Sequence, residues 1–201
     1  MESNALATTE VESEEVNRTF VELNEEISVS TVSPIIAILD AAKPGDSIAL
    51  HMRNNNGGDV GQLFELIKAL VRTKATVEIS FGRFIMSAAA SLWLWFWLRP
   101  APHVKSLLPR KPAVIMYHRP RRPHAESYYC FAEDFEEGDP IRESLMELVR
   151  VFDKLFEELL ERMGWSALTS ANVVSGGVIY QHSLQHLKDA YYGNKDCIIP
   201  V

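Results

Sequence analysis

Apolar and polar positions alternate along this chain with two different periods, and the switches between them mark out its elements. "RTFVELNEEISVST" opens with period-two alternation, the pattern of a half-buried strand, until Asn24 interrupts it. "SPIIAILDAAK" places apolar residues at helical spacing, with Ser33 at the N-cap and Pro34 at the first helical position, and "KPGD" closes it. "SIALHM" then reads as a short strand, "VGQLFELIKALVRT" as a helix and "ATVEISF" as another strand. Strand, helix and strand at these lengths predict β-α-β units on a parallel sheet.

From Phe84 to Leu98, "FIMSAAASLWLWFWL" carries no charge and holds three of the four tryptophans. As a helix it would span only about 22 Å, too short for a bilayer core, so it predicts a buried helix in which the tryptophans are core. "RPAPHVKSLLPRKP" is a proline-punctuated connection, and "AVIMYH" is a further strand. Residues 119–140 are polar, first basic ("RPRRPH") and then acidic ("EDFEEGD"), and read as one long loop. Residues 141–163 form the longest predicted helix, with Leu145, Leu148, Val149, Phe152, Leu155, Phe156, Leu159 and Met163 on a broad apolar stripe and Gly164 as its stop. That stripe must be buried, against either its own domain or a second subunit.

Composition narrows the class. The 201 residues, 47% of them hydrophobic and 23% charged, suit one globular domain over residues 18–201. A net charge of -7 argues against nucleic acid or an anionic membrane as partner. Cys130 and Cys197 are too few for a disulfide framework and lack metal-ligand spacing, so they read as incidental thiols of a reducing, cytoplasmic compartment. Residues 1–17 are acidic without a basic start or apolar run, which predicts a mobile tail rather than a secretory signal.

Three stretches carry candidate chemistry, each at the carboxyl end of a predicted parallel strand, where such sheets place their sites. "RNNNGGDVGQL" offers Gly57 and Gly58, Ser87 opens the helix after the next strand, and His118 ends a later one. A serine becomes a useful nucleophile with a base in reach, and the oxyanion it generates needs fixed donors such as the N–H groups of Gly58 and Ala88.

Taken in order, these stretches resemble the proteolytic subunit of the Clp protease, within the crotonase-like superfamily, from about residue 20 to residue 199. "IALHMRNNNGGDVGQL" is similar to that family's strand and "SPGG" turn, "VEISFGRFIMSAAASL" to its nucleophile-bearing helix, and "AVIMYHRP" to its "MIHQP" strand. "DPIRESLMELVRVFDKLFEELLERMG" resembles its handle helix, and "LKDAYYGNKDCII" its closing "EA-x-x-YGLID" segment. The resemblance implies an α/β fold of repeated β-α-β units with a long handle helix. It implies a serine peptidase acting on peptides or unfolded proteins without a cofactor, with Ser87 as nucleophile, His118 as base, and Gly58 and Ala88 as oxyanion donors. It also implies a ring-shaped homo-oligomer and a separate ATP-dependent unfoldase, since the chain has no phosphate-binding loop of its own.

The departures are specific. Asn56 replaces the family's proline before the two glycines, which leaves the turn less fixed. The stretch from Gly82 to Ser87 is one residue longer than the family's, which makes Ser91, one helical turn on, a rival nucleophile. The family's spacing puts Gln181 where the triad aspartate belongs, beside His182, with no aspartate nearby until Asp189. Gln181 could orient the imidazole but not neutralise it, so a catalytically weak or inactive subunit with an assembly role is the alternative. The other histidines show no metal-ligand spacing, and Arg119, Arg121 and Arg122 read as a solvated basic loop.

Overall fold

The structure is a computed structural model that describes residues 18–125, 128–163, 170–175 and 178–201. The acidic segment 1–17, expected to be a mobile tail, and the helix stop at Gly164 lie outside the described residues. The chain is α/β. Its elements run β1 (Arg18–Glu22), α1 (Val29–Ala41), β2 (Ser47–Asn55), α2 (Val60–Arg72), β3 (Thr76–Met86), α3 (Ser87–Leu98) and β4 (Val104–Ser106). They continue with β5 (Val114–Tyr117), β6 (Arg122–Ala125), β7 (Tyr128–Cys130), α4 (Pro140–Arg162), β8 (Ser170–Ser175), β9 (Val178–Ser183), α5 (Leu184–Tyr192) and β10 (Cys197–Pro200).

The main sheet has the order β1-β2-β3-β5-β10, with β4 beside the first half of β3. All neighbours are parallel except the last pair, in which β10 returns antiparallel to β5. Strand alternation decides which face packs: Ile48, Leu50, Met52, Val77, Ile79 and Phe81 are buried in the core with α1, α2 and α3, while Ala49, His51, Glu78 and Ser80 face a half-open groove.

α1 begins five residues before the expected Pro34. Ser28 is its N-cap, the Ser28 N–H donates to Thr31 Oγ1 at 3.0 Å, and Pro34 lies inside the helix. Proline is tolerated there because Ser30, whose carbonyl loses its partner, is exposed to water. The tryptophan-rich run splits: Phe84, Ile85 and Met86 finish β3, and the helix starts at Ser87. Trp93 is fully buried and donates from Nε1 to Leu107 O at 2.9 Å. No helix among the described residues is long and apolar enough to cross a membrane.

The segment expected to be one long loop carries a hairpin, β6 pairing antiparallel with β7, followed by a 3-10 turn at Ala132–Asp134. Nor is its basic cluster simply solvated. Arg119 makes a two-pronged pair with Asp153 of α4 at 3.0 and 2.8 Å, and its guanidinium lies over the rings of Tyr191 and Tyr192. The apolar stripe of α4 is covered within the chain: Phe152, Leu155, Phe156 and Leu159 join the core, and Phe152, Phe156, Tyr117 and Tyr191 stack on one another. That part of the stripe is buried within the chain itself, while Leu148 is half-buried.

Candidate active site

β3 ends at Met86 and α3 begins at Ser87 with no residue between them. The chain turns from strand to helix by placing Ser87 at φ 51°, in the left-handed region, which costs a residue with a Cβ about 1–2 kcal/mol. Gly57, at φ 92°, packs directly on this turn. A Cβ built on Gly57 would sit 2.6 Å from Ser87 Cβ and 2.9 Å from Ala88 N. Glycine is thus required there both for its backbone and for the space, and its bareness leaves the Ala88 amide uncovered on that side.

The asparagine before the turn replaces what proline would have done. Asn55 is buried, donates from Nδ2 to Leu23 O and Glu25 O at 2.8 Å each, and accepts at Oδ1 from Gly57 N–H at 2.8 Å. The turn is therefore pinned from three directions although Asn56 itself is exposed, contrary to the looser turn expected from the missing proline. Flanking Gly58, Gly57 O accepts from Ile27 N–H at 2.7 Å and Asp59 N–H donates to Ile27 O at 2.8 Å. In such a parallel bridge the N–H of Gly58 points away from Ile27, toward the side where β3 and Ser87 lie. A Cβ on Gly58 would collide with Ile27 O.

The extra residue between Gly82 and Ser87 is absorbed by a bulge. Met52 pairs with Phe81 but Asn54 with Phe84, so β3 carries one residue more than β2 over this step and Ser87 keeps its position above the glycine turn. Ser91, the rival nucleophile, is buried and donates from Oγ to Ser87 O at 3.0 Å. It bonds its own helix backbone and does not line the cavity.

His118 follows β5 and is 5% exposed. Its Nδ1 lies 2.6 Å from Arg119 O; a carbonyl only accepts, so Nδ1 carries the hydrogen and Nε2 keeps its lone pair. Burial holds its pKa below the ordinary value of 6.5, so the ring is neutral at neutral pH, the form a general base needs. Arg121 opposes its protonation and Asp196 favours it, and these two are themselves paired, Arg121 Nη1 to Asp196 Oδ1 at 3.0 Å.

Ser87, His118 and Gly58 meet on the wall of one open cavity of about 760 Å³, together with Asn56, Met116, Arg121, Arg122, Leu148 and Phe152. Its volume suits a peptide-sized or small-molecule ligand. Ser87 and His118 share this wall without a hydrogen bond between them. Ala88 stands one residue behind, fully buried and off the wall, with its amide in the uncapped first turn of α3. Gln181 lies on β9, opposite Asn172 of β8, and its side chain falls outside the described residues. Asp189 accepts from Gln185 Nε2 at 2.6 Å and is not on the cavity wall.

Asn55 and Asp196 escape a reading of the sequence. Asn55 looks like one more polar turn residue, and only its position at the end of β2 hints at a bracket. Asp196 precedes "CII", and its relevance depends on that strand returning antiparallel to β5, which periodicity does not encode. Among the described residues no cluster of His, Cys, Asp or Glu could hold a metal ion. No family model matches the chain, and no curated protein matches it.

Proposed function

We propose that the chain is a serine-type peptidase resembling the Clp proteolytic subunit, which cleaves peptides or unfolded proteins with Ser87 as nucleophile and His118 as base. The observation that carries this reading is the backbone of Ser87. A non-glycine residue held at φ 51° at a strand-to-helix turn, on the same cavity wall as a neutral imidazole, is the strain a nucleophile elbow uses to expose its hydroxyl.

The reaction follows from the groups present. Ser87 Oγ attacks the scissile carbonyl carbon as its proton passes to His118 Nε2, and the oxygen, now negative, is met by the Gly58 and Ala88 amides. The tetrahedral adduct collapses, the C–N bond breaks, and His118 returns the proton to the leaving amine. Water attacks the resulting ester with His118 again as base; the bond to Ser87 Oγ breaks, the acid leaves, and the serine recovers its proton. Assembly into a homo-oligomeric ring, partnership with a separate unfoldase and a cytoplasmic setting belong to the same reading, through the resemblance.

A fluorophosphonate probe should label wild-type protein at Ser87, with labelling lost in Ser87→Ala and retained in Ser91→Ala. Equal labelling of Ser87→Ala removes the assignment. A second reading, a non-catalytic subunit with an assembly role, is favoured by the missing Ser87–His118 hydrogen bond. It requires absent labelling in a protein that still assembles by light scattering.

A further inference from the structure

An imidazole that takes a proton from a serine becomes a cation, and a buried cation needs a negative charge close by. We propose that Asp196 is that carboxylate, a positioning residue for His118, and that Arg121 competes with His118 for it in the conformation seen.

The geometry comes from the one antiparallel pair of the sheet. β10 and β5 pair Pro200 with Val114, Ile199 with Ile115, Ile198 with Met116 and Cys197 with Tyr117. One further step along this ladder sets Asp196 opposite His118. Residues directly opposite share a face, with Cβ atoms about 4.5–5.5 Å apart. Tyr117 and Cys197 point to the other face and are buried, Tyr117 against Phe152, Phe156 and Tyr191. His118 and Asp196 therefore share the face of Met116; Met116 and His118 line the cavity, and Asp196 stands just outside its wall.

Both groups are at present engaged elsewhere. Nδ1–H of His118 is spent on Arg119 O, and Asp196 Oδ1 on Arg121. The Asp196 side chain is 43% exposed and pairs with Arg121, whose guanidinium also lies over the ring of Tyr129 at 4.2 Å. An exchange of partners would replace a neutral hydrogen bond by a charge-assisted one between Nδ1–H and the carboxylate. The other charges near the imidazole do not replace Asp196. Arg119 is committed to Asp153, Arg122 is a further cation, and Glu26 and Asp59 are exposed on the cavity rim, where water screens them.

The role in turnover rests on the reading of Ser87 and His118 as the reacting pair, but the contact can be tested without it. Titration of the His118 ring by NMR in the full chain should move down by about one unit in Asp196→Asn and up in Arg121→Gln. An unchanged titration in either folded variant overturns the proposal, and Arg121→Gln carries the test should Asp196→Asn fail to fold. In peptide turnover, Asp196→Asn should lower kcat at least about tenfold with KM little changed, and Asp196→Glu should recover part of the loss. A shifted titration without Ser87 labelling keeps Asp196 and sinks the peptidase. Labelling without a shift does the reverse.

Discussion

Ser87 and His118 are each held in a state that costs stability, and in each case a neighbour keeps them there. Ser87 is propped in its left-handed turn by the bare Gly57. His118 is kept neutral by burial, with its pKa lowered below 6.5. The sign of the resulting pH dependence follows directly. Between the folded pKa and 6.5 the unfolded chain binds a proton at His118 that the folded chain does not, so stability falls as pH drops through that window and levels off once both states are protonated. His118→Gln has no such proton to bind. Thermal melts from about pH 7.5 to pH 5.5 should therefore show wild type losing more of its Tm than the variant. A difference in Tm that stays constant with pH would mean that His118 is not held neutral. Cys197 shows the same physics without a function: burial pushes its thiol up to about 12, so it is inert.

At the level of elements, α4 is tied to the rest of the chain by stacked rings and by charge pairs. Phe156 stacks on Tyr191 with ring centroids 4.0 Å apart and touches Tyr117 and Tyr192 as well. The Asp153–Arg119 pair ties the same helix to the residue after His118. Phe156→Ala should cost about 3–5 kcal/mol in chemical denaturation, since it opens a hole in a fully buried stack. A loss below about 1 kcal/mol would mean that α4 is not anchored there. These contacts also show what a sequence can carry. The helical patterns mark α2 and α4 to within a residue and the apolar runs mark the starts of β2 and β3, because each buries one face of a regular element, whereas β2 runs on to Asn55 and β3 to Met86. The start of α1 lies five residues ahead of the expected one because Pro34 fits an N-terminus and equally fits an exposed helix face. The hairpin of β6 and β7 was hidden because its residues are polar and bury little. Ser87, Gly58 and His118 could be lined up from their order after strands, whereas Asn55 and Asp196 depend on which strand lies beside which.

The whole molecule follows from a sheet packed on one face by helices, with α4 folded back over its own chain. Four residues of that helix's stripe, Phe152, Leu155, Phe156 and Leu159, join the core of the same copy, so on the homo-oligomer reading a subunit is expected to fold without its partners. Dilution over about a hundredfold should change the mass measured by light scattering before it changes the Tm, and a Tm that falls with dilution would contradict this. The antiparallel return of β10 has a further consequence. It covers the free edge of β5, whose N–H and C=O groups would otherwise invite strands from other molecules. Removing β10 takes that cover away. A copy without β10 presents that edge to strands of other copies, so the return strand guards the sheet as well as completing it.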